Sequence, residues 1–248
     1  MILPNPKIFI VLPAYNAEKT LLRTLDEIPE VYRQNIILVD DGSVDRTVEI
    51  AKQAGLQVVQ HEKNKGYGAN QKTCYKTALL HGADIVVMLH PDHQYDAKII
   101  PRMIVPIQNG EADAVFGSRM LGGHPTENGM PVYKYYANII LTSIANIVFR
   151  RYLSEIHSGF RAYSKKYLEV VRFENNSDDF VFDTEIIAQG MACHLYFQEV
   201  PIETRYFPEA SSINFFRSVV YGLGVIRVLV EFSLHKNGII RKNSFLPK

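Results

Sequence analysis

Five short apolar runs alternate with segments of helical spacing in the first half of this 248-residue chain. This alternation constrains the fold more than any other feature, because each run is short enough for a single buried strand. After the first run, apolar residues recur at Leu21, Leu25 and Ile28, which is the spacing of a helix, and Asn16 is the predicted N-cap of that helix. The five predicted strands are residues 7–12, 35–40, 56–60, 84–89 and 113–118.

Strands that alternate with helices need crossover connections, which produce parallel strands covered by helices. We therefore predict an α/β fold for residues 1–120, Rossmann-like, with a mostly parallel central sheet. The second half is less regular. Residues 118–131 are rich in glycine, proline and polar side chains and predict a mobile loop. Helices are expected at 132–150 and 178–190, and a strand at 194–202.

The composition excludes several classes of protein. The formal net charge is +1, so no nucleic-acid partner is expected. Cys74 and Cys193 lie far apart without metal-ligand spacing, which is typical of a reduced, cytoplasmic protein. The N-terminal apolar run ends at Pro13 and is too short for a signal peptide. The sequence contains no stretch of about 18 uncharged apolar residues, so no membrane-spanning helix is predicted.

Polar residues and glycines collect where the predicted strands end, and ligands bind at that edge of an open parallel sheet. Asp40 and Asp41 could accept hydrogen bonds from a base or ribose, although Asp-Gly-Ser is equally good turn chemistry. Gly66 and Gly68 open a predicted helix, where backbone amides could face phosphate oxygens. The Gly-Lys-Ser/Thr ending of a P-loop is absent.

The sequence LHPDHQYD, which follows the fourth predicted strand, has the sharpest chemical signal. Asp92 provides a hard carboxylate ligand for Mg²⁺ or Mn²⁺, and Gln94 could add an amide oxygen. A departing diphosphate needs such a cation to take up its negative charge. The His-x-Asp-His spacing also admits zinc, but no cysteine lies near. A solvated loop is the alternative without a function.

Charged residues of the second half add further candidates. Arg119 ends the fifth predicted strand and Arg161 follows a glycine. Arginine forks suit phosphates, while a surface ion pair is the alternative for each. Asp183 and Glu185 lie in a predicted helix, where one could be a general base for an incoming hydroxyl. Both could equally be ordinary helix carboxylates.

Taken in order, a set of motifs resembles glycosyltransferase family 2 over about residues 7–210. The motifs are VLPAYNAEKTL, ILVDDGSVDRT, NKGYGAN, HPDHQ, FGSR, HSGFRAYS, FDTE and EVPIETRY. The resemblance implies a GT-A fold and inverting transfer from a nucleotide sugar, and it is strongest to the dolichyl and polyprenyl-phosphate sugar synthases. It also implies a glycosyltransferase domain at 1–210, with a nucleotide-sugar half at 1–120 and an acceptor half at 121–210.

The resemblance assigns roles to particular positions. Asp92 matches the second aspartate of the family's Asp-x-Asp metal motif, and Gln94 matches the glutamine that follows. Arg119 would face the donor diphosphate or the acceptor phosphate. Asp183 or Glu185 falls where the family has an acidic helix motif. The residues that would hold the UDP- or GDP-linked donor are Pro13, Tyr15, Glu18, Asp40 and Asp41, with Gly66 beside them.

His90 departs from the family pattern, because it occupies the position of the first aspartate. An imidazole nitrogen binds Mn²⁺ but suits Mg²⁺ poorly. The ring could instead hydrogen-bond a phosphate without touching a metal. The departure bears on metal affinity more than on the nucleotide-sugar site, since Asp92 and Gln94 remain.

Residues 211–248 bear on the acceptor. Drawn as a helix, residues 213–236 have one narrow polar stripe, and their apolar surface exceeds what packing on one core requires. The excess must face a membrane interface, another subunit or more of this chain, so peripheral membrane contact and a homo-oligomer both stay open. The basic sequence KNGIIRKNSFLPK would suit anionic lipid headgroups.

A polyprenyl phosphate is the predicted acceptor. Such a monoester is already anionic near neutral pH, so it needs cationic positioning by Arg119, Lys134 or Arg205 more than it needs a base. A glycan hydroxyl would need a base, which Asp183 or Glu185 could supply. The predicted protein is an inverting, metal-dependent transferase of the cytoplasm that meets the cytoplasmic membrane face peripherally. A soluble transferase for a glycan or polysaccharide hydroxyl and a non-catalytic nucleotide-sugar-binding protein are the alternatives.

Overall fold

The computed structural model describes residues 2–207 and 215–248, with only the backbone of Phe215. Within these residues a seven-stranded sheet has the order β3-β2-β1-β4-β6-β5-β7. The strands are β1 (Ile8–Ala14), β2 (Ile36–Asp40), β3 (Gln57–Gln60), β4 (Ile85–Met88), β5 (Ala114–Ser118), β6 (Arg161–Ser164) and β7 (Phe197–Pro201).

Helices cover both faces of this sheet. Those of the first half are α1 (Leu21–Glu27), α2 (Thr47–Gln53), α3 (Tyr67–Leu80), α4 (Ile100–Gln108) and the short α5 (Arg119–Gly122). Those of the second half are α6 (Val132–Phe149), α7 (Lys165–Val170), α8 (Phe182–Ala192) and α9 (Phe215–Lys236). Short 3₁₀ turns lie at Glu30–Asn35, Ala97–Ile99, Phe173–Asn175 and Asn243–Phe245.

The centre of the sheet is parallel, as predicted. β1 pairs in parallel with both β2 and β4, so that Ala14 lies opposite Asp40 at the carboxyl edge. β2 is buried along its whole length, and its side chains alternate between two cores. Ile37 enters the core on one face, and Leu38 enters the core on the other. Burial on both faces explains why these strands read as continuous apolar runs.

β6 is a strand that the sequence analysis missed. It lies antiparallel between β4 and β5. Its four residues, RAYS, are too few to show a period of two, so only the pairing with its two neighbours makes them a strand. This insertion places the preceding segment, residues 155–160, beside the carboxyl end of β4.

Two predicted boundaries are wrong. α1 begins at Leu21 and not at Asn16, which has a φ of 51°. Asn16 joins two loops, because its side-chain oxygen accepts the Val44 N–H at 3.0 Å and its own N–H donates to Ser43 Oγ at 2.8 Å. The loop predicted at 118–131 contains α5, whose first turn is capped by the Ser118 hydroxyl.

α9 packs closely on the body of the protein. A Cβ at Gly224 would lie 2.9 Å from Val181 Cγ2, so the glycine permits the approach of α9 to α8. Val225 and Val228 are buried in the same core as the sheet. The predicted domain boundary at 210 and the predicted helix start at 213 lie outside the described residues. The division into domains therefore stays a prediction.

The outer face of α9 is apolar and exposed. Phe216 is 80% exposed and Leu223 is 67% exposed. The segment Phe216–Lys236 is long and apolar enough to cross a membrane by length and composition alone. No such helix was predicted from the sequence, because charged residues interrupt this segment and the prediction required about 18 apolar residues without a charge.

The basic tail folds back on the body. Lys242 pairs with Glu231, and Lys248 pairs with Glu174 at 2.8 Å. The Lys248 backbone N–H also donates to the Val170 carbonyl at 2.9 Å. Two of the basic side chains expected to meet anionic lipid are therefore engaged by carboxylates of this chain.

Candidate active site

A cavity of about 1290 Å³ opens at the carboxyl ends of β1, β2 and β4. Loops of the first half form one wall, and α6, α9 and the segment before β6 form the other. Predicted site residues that line the cavity are Pro13, Tyr15, Gly66, Asp41, His90, Asp92, Gln94, Arg119, Lys134 and Asp183. Glu18, Asp40, Glu185 and Arg205 are not among the residues that line it.

Asp41 organises the loop that leads into α3. Its carboxylate accepts the Lys65 N–H at 2.9 Å and the Gly66 N–H at 3.0 Å, and it lies 2.7 Å from Nδ1 of His61. The Gly68 N–H donates to the Asp178 carbonyl at 2.7 Å. The amides of both glycines are therefore engaged within the protein, which does not support the expectation that they face phosphate oxygens. A donor contact by Gly66, which lines the cavity, stays a prediction.

Gly66 is required for the shape of this loop. Its φ is +103°, which side chains rarely adopt, and a Cβ there would lie 2.5 Å from the Asp178 carbonyl oxygen. The glycine therefore allows residues 64–67 to approach residues 177–179 at the edge of the cavity.

Asp40 and Glu18 serve turns outside the cavity. Asp40 is buried, and its Oδ2 accepts the Gly42 N–H at 3.2 Å and the Ser43 N–H at 3.0 Å. Glu18 Oε2 accepts the Arg46 N–H at 3.1 Å. The turn interpretation thus accounts for Asp40, and a nucleotide contact by either carboxylate stays a prediction.

His90 faces the protein wall. Its Nε2 lies 3.3 Å from the Tyr67 hydroxyl, and the two rings stack with centroids 5.5 Å apart. A Cβ at Gly159 would come within 2.6 Å of the same nitrogen, so the glycine makes room for the imidazole. Burial lowers the pKa of His90 and favours the neutral ring. Because the Tyr67 hydroxyl donates to Asp183 Oδ2 at 2.9 Å, it accepts the hydrogen of His90 Nε2. Nε2 is therefore not a metal ligand, and a metal contact by Nδ1 stays a prediction.

The donor set around Asp92 fits a cation shared with a substrate. Among residues 2–207 and 215–248, no group of three or more His, Cys, Asp or Glu side chains is arranged to hold a metal ion. This finding gives no support to the zinc alternative. Asp92 Oδ1 accepts the Gln94 N–H at 3.1 Å, which holds the two predicted ligand residues together. One carboxylate plus substrate phosphates is a usual Mg²⁺ arrangement, so these residues fit Mg²⁺ or Mn²⁺ bound with a diphosphate.

Asp183 is at the centre of a buried network. Its Oδ2 accepts from the Tyr67 hydroxyl at 2.9 Å, and its Oδ1 accepts from Gln71 Nε2 at 3.0 Å. The Arg161 guanidinium lies 3.1 Å from Oδ1 and also donates to the Ser158 carbonyl. Arg161 thus belongs to a buried ion pair, and neither a phosphate contact nor the surface ion pair of the alternative describes it. Because both oxygens of Asp183 are engaged, this carboxylate is poorly placed to act as a general base.

Glu185 and Arg205 face other partners. Glu185 accepts the Ser177 N–H at 2.6 Å and lies 3.6 Å from Arg227 of α9. Burial raises the pKa of Glu185. Arg205 pairs with Glu27 at 2.9 Å and lines a separate, smaller cavity. The structure therefore does not support Glu185 as a base or Arg205 as an acceptor-phosphate ligand.

Arg119 is held by a carboxylate that the sequence analysis missed. Its backbone N–H donates to Glu155 Oε2 at 2.7 Å, its Nε donates to Oε1 at 2.8 Å, and Nη2 contacts Oε1 as well. Nη1 lies 3.2 Å from the Tyr206 hydroxyl. Burial and the positive charge of Arg119 together lower the pKa of nearby Lys134. The cavity thus brings Arg119 and Lys134 together, as predicted for an acceptor phosphate.

Two further cavity residues, His157 and Tyr221, also escaped the sequence analysis. His157 Nδ1 lies 2.7 Å from the Tyr221 hydroxyl. His157 is the first residue of the motif HSGFRAYS that was used for the family resemblance, and Glu155 lies two residues before that motif. The signal available in the sequence was the pair of ionisable residues, Glu155 and His157, just before Gly159.

Comparison with known proteins identifies the family. The sequence profile described as Glycosyl transferase family 2 matches residues 9–172. A UDP-N-acetylglucosamine–dolichyl-phosphate N-acetylglucosaminyltransferase of Methanococcus voltae is 32% identical over 80% of this chain and 86% of its own length. A dolichol-phosphate mannosyltransferase of Pyrococcus furiosus is 29% identical over 74% of this chain and 53% of its own length.

A solved structure shares the fold. Glucosyl-3-phosphoglycerate synthase from Mycobacterium tuberculosis, in complex with Mn²⁺, UDP-glucose and phosphoglyceric acid, superposes with a TM-score of 0.71. The match covers 92% of this chain and 80% of that chain at 20% sequence identity. The predicted GT-A fold is therefore confirmed.

Proposed function

Because the chain belongs to glycosyl transferase family 2 and is therefore a nucleotide-sugar-dependent glycosyltransferase, we propose that its acceptor is a polyprenyl phosphate. The relative from Methanococcus voltae is named as a transferase that uses dolichyl phosphate, and its alignment covers most of both chains. The proposed reaction joins the sugar to the acceptor phosphate, inverts the anomeric carbon and releases a nucleoside diphosphate.

The observation that carries this proposal is the pair of helices at the cavity. α6 and α9 pack against each other, and both contribute residues to the cavity wall. Both also expose apolar side chains: on α6, Tyr136 is 60% exposed and Ile140 is 58% exposed, and on α9, Leu223 is 67% exposed. An acceptor with an anionic head and a long apolar chain would meet a charged cavity beside an apolar surface.

We infer that this apolar surface of α6 and α9 lies on the cytoplasmic membrane face. A polyprenyl phosphate is held in the bilayer by its chain, so the enzyme must bring its cavity to the headgroup level. Tyr133 and Tyr136, both exposed on α6, have the amphipathic rings that suit a membrane interface. A second subunit is the competing occupant.

The residues of the acceptor side need to orient a nucleophile that is already charged. Arg119, held by Glu155, and Lys134 supply positive charge at one end of the cavity. The engagement of Asp183 in its ion pair with Arg161 is consistent with a reaction that needs no general base. Attack from the face of the sugar opposite the nucleotide inverts the anomeric carbon.

The donor side is proposed to bind the nucleotide diphosphate. Asp92 and Gln94 are the residues that would hold Mg²⁺ or Mn²⁺. When bound, such a cation supplies positive charge for the departing diphosphate. Tyr15, which is 54% exposed at the end of β1, lines the same wall. The loop at 124–131, between α5 and α6, is proposed to cover the bound donor and exclude water.

A donor screen tests the proposed function. The full chain is incubated with UDP- and GDP-linked sugars, with Mn²⁺ or Mg²⁺, in the presence and absence of a short-chain polyprenyl phosphate. We expect nucleoside diphosphate release that depends on the polyprenyl phosphate, together with a glycosylated lipid phosphate as product. Transfer to a glycan hydroxyl with no use of polyprenyl phosphate would refute the acceptor assignment, and binding of donors without any transfer would favour the non-catalytic alternative.

A further inference from the structure

Nε2 of His157 is a buried polar atom without a hydrogen-bond partner, in a residue that lines the cavity. The other ring nitrogen, Nδ1, lies 2.7 Å from the Tyr221 hydroxyl. The two rings pack edge to face with centroids 5.6 Å apart. Roughly 90% of buried polar groups have a partner, and an exception calls for a ligand, a water or a function.

The charges around His157 favour an anion as the missing partner. Arg119 lies close enough that its charge acts on both His157 and Lys134. Glu155, the buried carboxylate of this group, already accepts hydrogen bonds from Arg119 and from Asn138 at 2.6 Å. The positive charges of Arg119 and Lys134 thus exceed the single negative charge of Glu155. An anionic oxygen would therefore be stabilised here.

The contact with Tyr221 also allows Nε2 to be the hydrogen-bond donor of the ring. Burial lowers the pKa of His157 to about 4, so the ring is neutral at neutral pH and carries one hydrogen. Burial raises the pKa of Tyr221, so its hydroxyl keeps its proton. When that hydroxyl donates to Nδ1, the imidazole hydrogen lies on Nε2. A neutral donor can contact an anionic oxygen without adding a like charge beside Arg119.

We propose that His157 donates from Nε2 to the acceptor phosphate, and that Tyr221 is a positioning residue that holds the imidazole in this tautomer. The inference rests on the proposed function. The acceptor is favoured over the donor diphosphate because the charge of Arg119 acts on both His157 and Lys134, and Arg119 and Lys134 are the cations proposed to hold the acceptor phosphate. Through Tyr221, the helix proposed to contact the membrane also fixes a contact to the phosphate.

Two substitutions of His157 separate the roles of its nitrogens. Asn places an amide near Nδ1, so His157→Asn keeps a partner for Tyr221 and loses the donor at Nε2. Gln reaches the Nε2 position, so His157→Gln restores that donor. Rates are measured with the full chain, the donor found in the screen and farnesyl phosphate in solution. We expect His157→Asn to raise the acceptor KM about tenfold or more and to leave the donor KM within about twofold. His157→Gln should recover most of the loss.

Tyr221→Phe removes the positioning contact alone and should raise the acceptor KM by a smaller factor. An unchanged acceptor KM in His157→Asn overturns the proposal. The same result is expected if an ordered water, and not the phosphate, is the partner of Nε2. Equal changes in both KM values overturn it too, because they indicate a structural role. A wild-type chain that uses no isoprenyl phosphate refutes the proposed function, whereas an active wild type with an unaffected His157→Asn refutes only this inference.

A second measurement covers the case in which the variants fold poorly. The wild-type chain is labelled with ¹⁵N-histidine, and farnesyl phosphate is added. We expect the Nε2 resonance of one neutral histidine, out of the eight in the chain, to shift on binding. Titration to saturation without any histidine shift would overturn the proposal.

Discussion

Leu223 allows a direct measurement of membrane contact. It lies on the outer face of α9 and is 67% exposed, so about two-thirds of its side chain remains to be buried. Complete burial of a leucine side chain is worth about 1.5–3 kcal/mol, and two-thirds of that is about 1–2 kcal/mol. Leu223→Gln should therefore weaken vesicle binding about five- to thirtyfold. Glutamine is a good helix former, so α9 itself should be preserved.

Leu80 provides the matched control. It is 85% exposed at the end of α3, which begins beside the cavity and runs about 20 Å away from it. Leu80→Gln makes the same chemical change at a leucine that is more exposed and lies on a different surface. The assay is co-sedimentation with vesicles of anionic phospholipid, with the thermal midpoint measured for each variant. We expect Leu80→Gln to bind as the wild type does.

Two outcomes would refute this reasoning. If Leu223→Gln and Leu80→Gln bind vesicles equally well, the outer face of α9 does not contact the bilayer. If the wild type is a dimer in sedimentation equilibrium and only Leu223→Gln dissociates it, the face is covered by a second subunit.

Three other perturbations follow from the site and the charges around it. Asp92→Ala should lower turnover by orders of magnitude at an unchanged thermal midpoint, and it should abolish the UDP-dependent binding of Mn²⁺ seen by electron paramagnetic resonance. His90→Ala should retain most of that Mn²⁺ binding. Loss of Mn²⁺ binding in both variants would place the imidazole on the metal. Glu155→Gln removes one partner of a buried ion pair and should lower the free energy of unfolding by about 3–5 kcal/mol in urea titrations, and a change below about 1 kcal/mol would contradict the described burial. Because burial raises the pKa of Glu185, ionisation of this carboxylate costs native stability as the pH rises through that raised value, and the cost vanishes at acid pH. Glu185→Gln should thus gain thermal stability relative to the wild type between pH 4 and pH 8, and a parallel pH dependence of the two proteins would contradict this.

Much of the fold was predictable from local patterns. β1, β2 and β4 are buried on both faces, so their sequences are apolar throughout and stand out from the helices between them. β6 was not predictable, because its four residues become a strand only by pairing with β4 and β5. The start of α1 was misplaced for a related reason: Asn16 has the chemistry of a helix cap, but it bonds to the neighbouring loop at Ser43 and Val44.

The candidate site was predictable as a region and less so residue by residue. Parallel strands deliver their carboxyl ends to one edge, so Asp41, Asp92 and Arg119 meet at one cavity. The sequence does not show which charged side chains already have a partner inside the protein. Asp183 is engaged by Arg161, and Glu185 by Ser177, through contacts that only the folded chain creates.

The sequence alone thus determined the α/β class, the parallel direction of the central strands and the edge at which ligands bind, because these depend on hydrophobic period and on strand direction. The tertiary structure determined which polar side chains are partners: His90 contacts Tyr67, Arg119 pairs with Glu155, and His157 contacts Tyr221 on α9. Hydrogen bonds and ion pairs act over a few ångströms, and the residues that make them are brought together only by packing. The division between residues that bind substrate and residues that hold the site in shape is therefore a property of the fold.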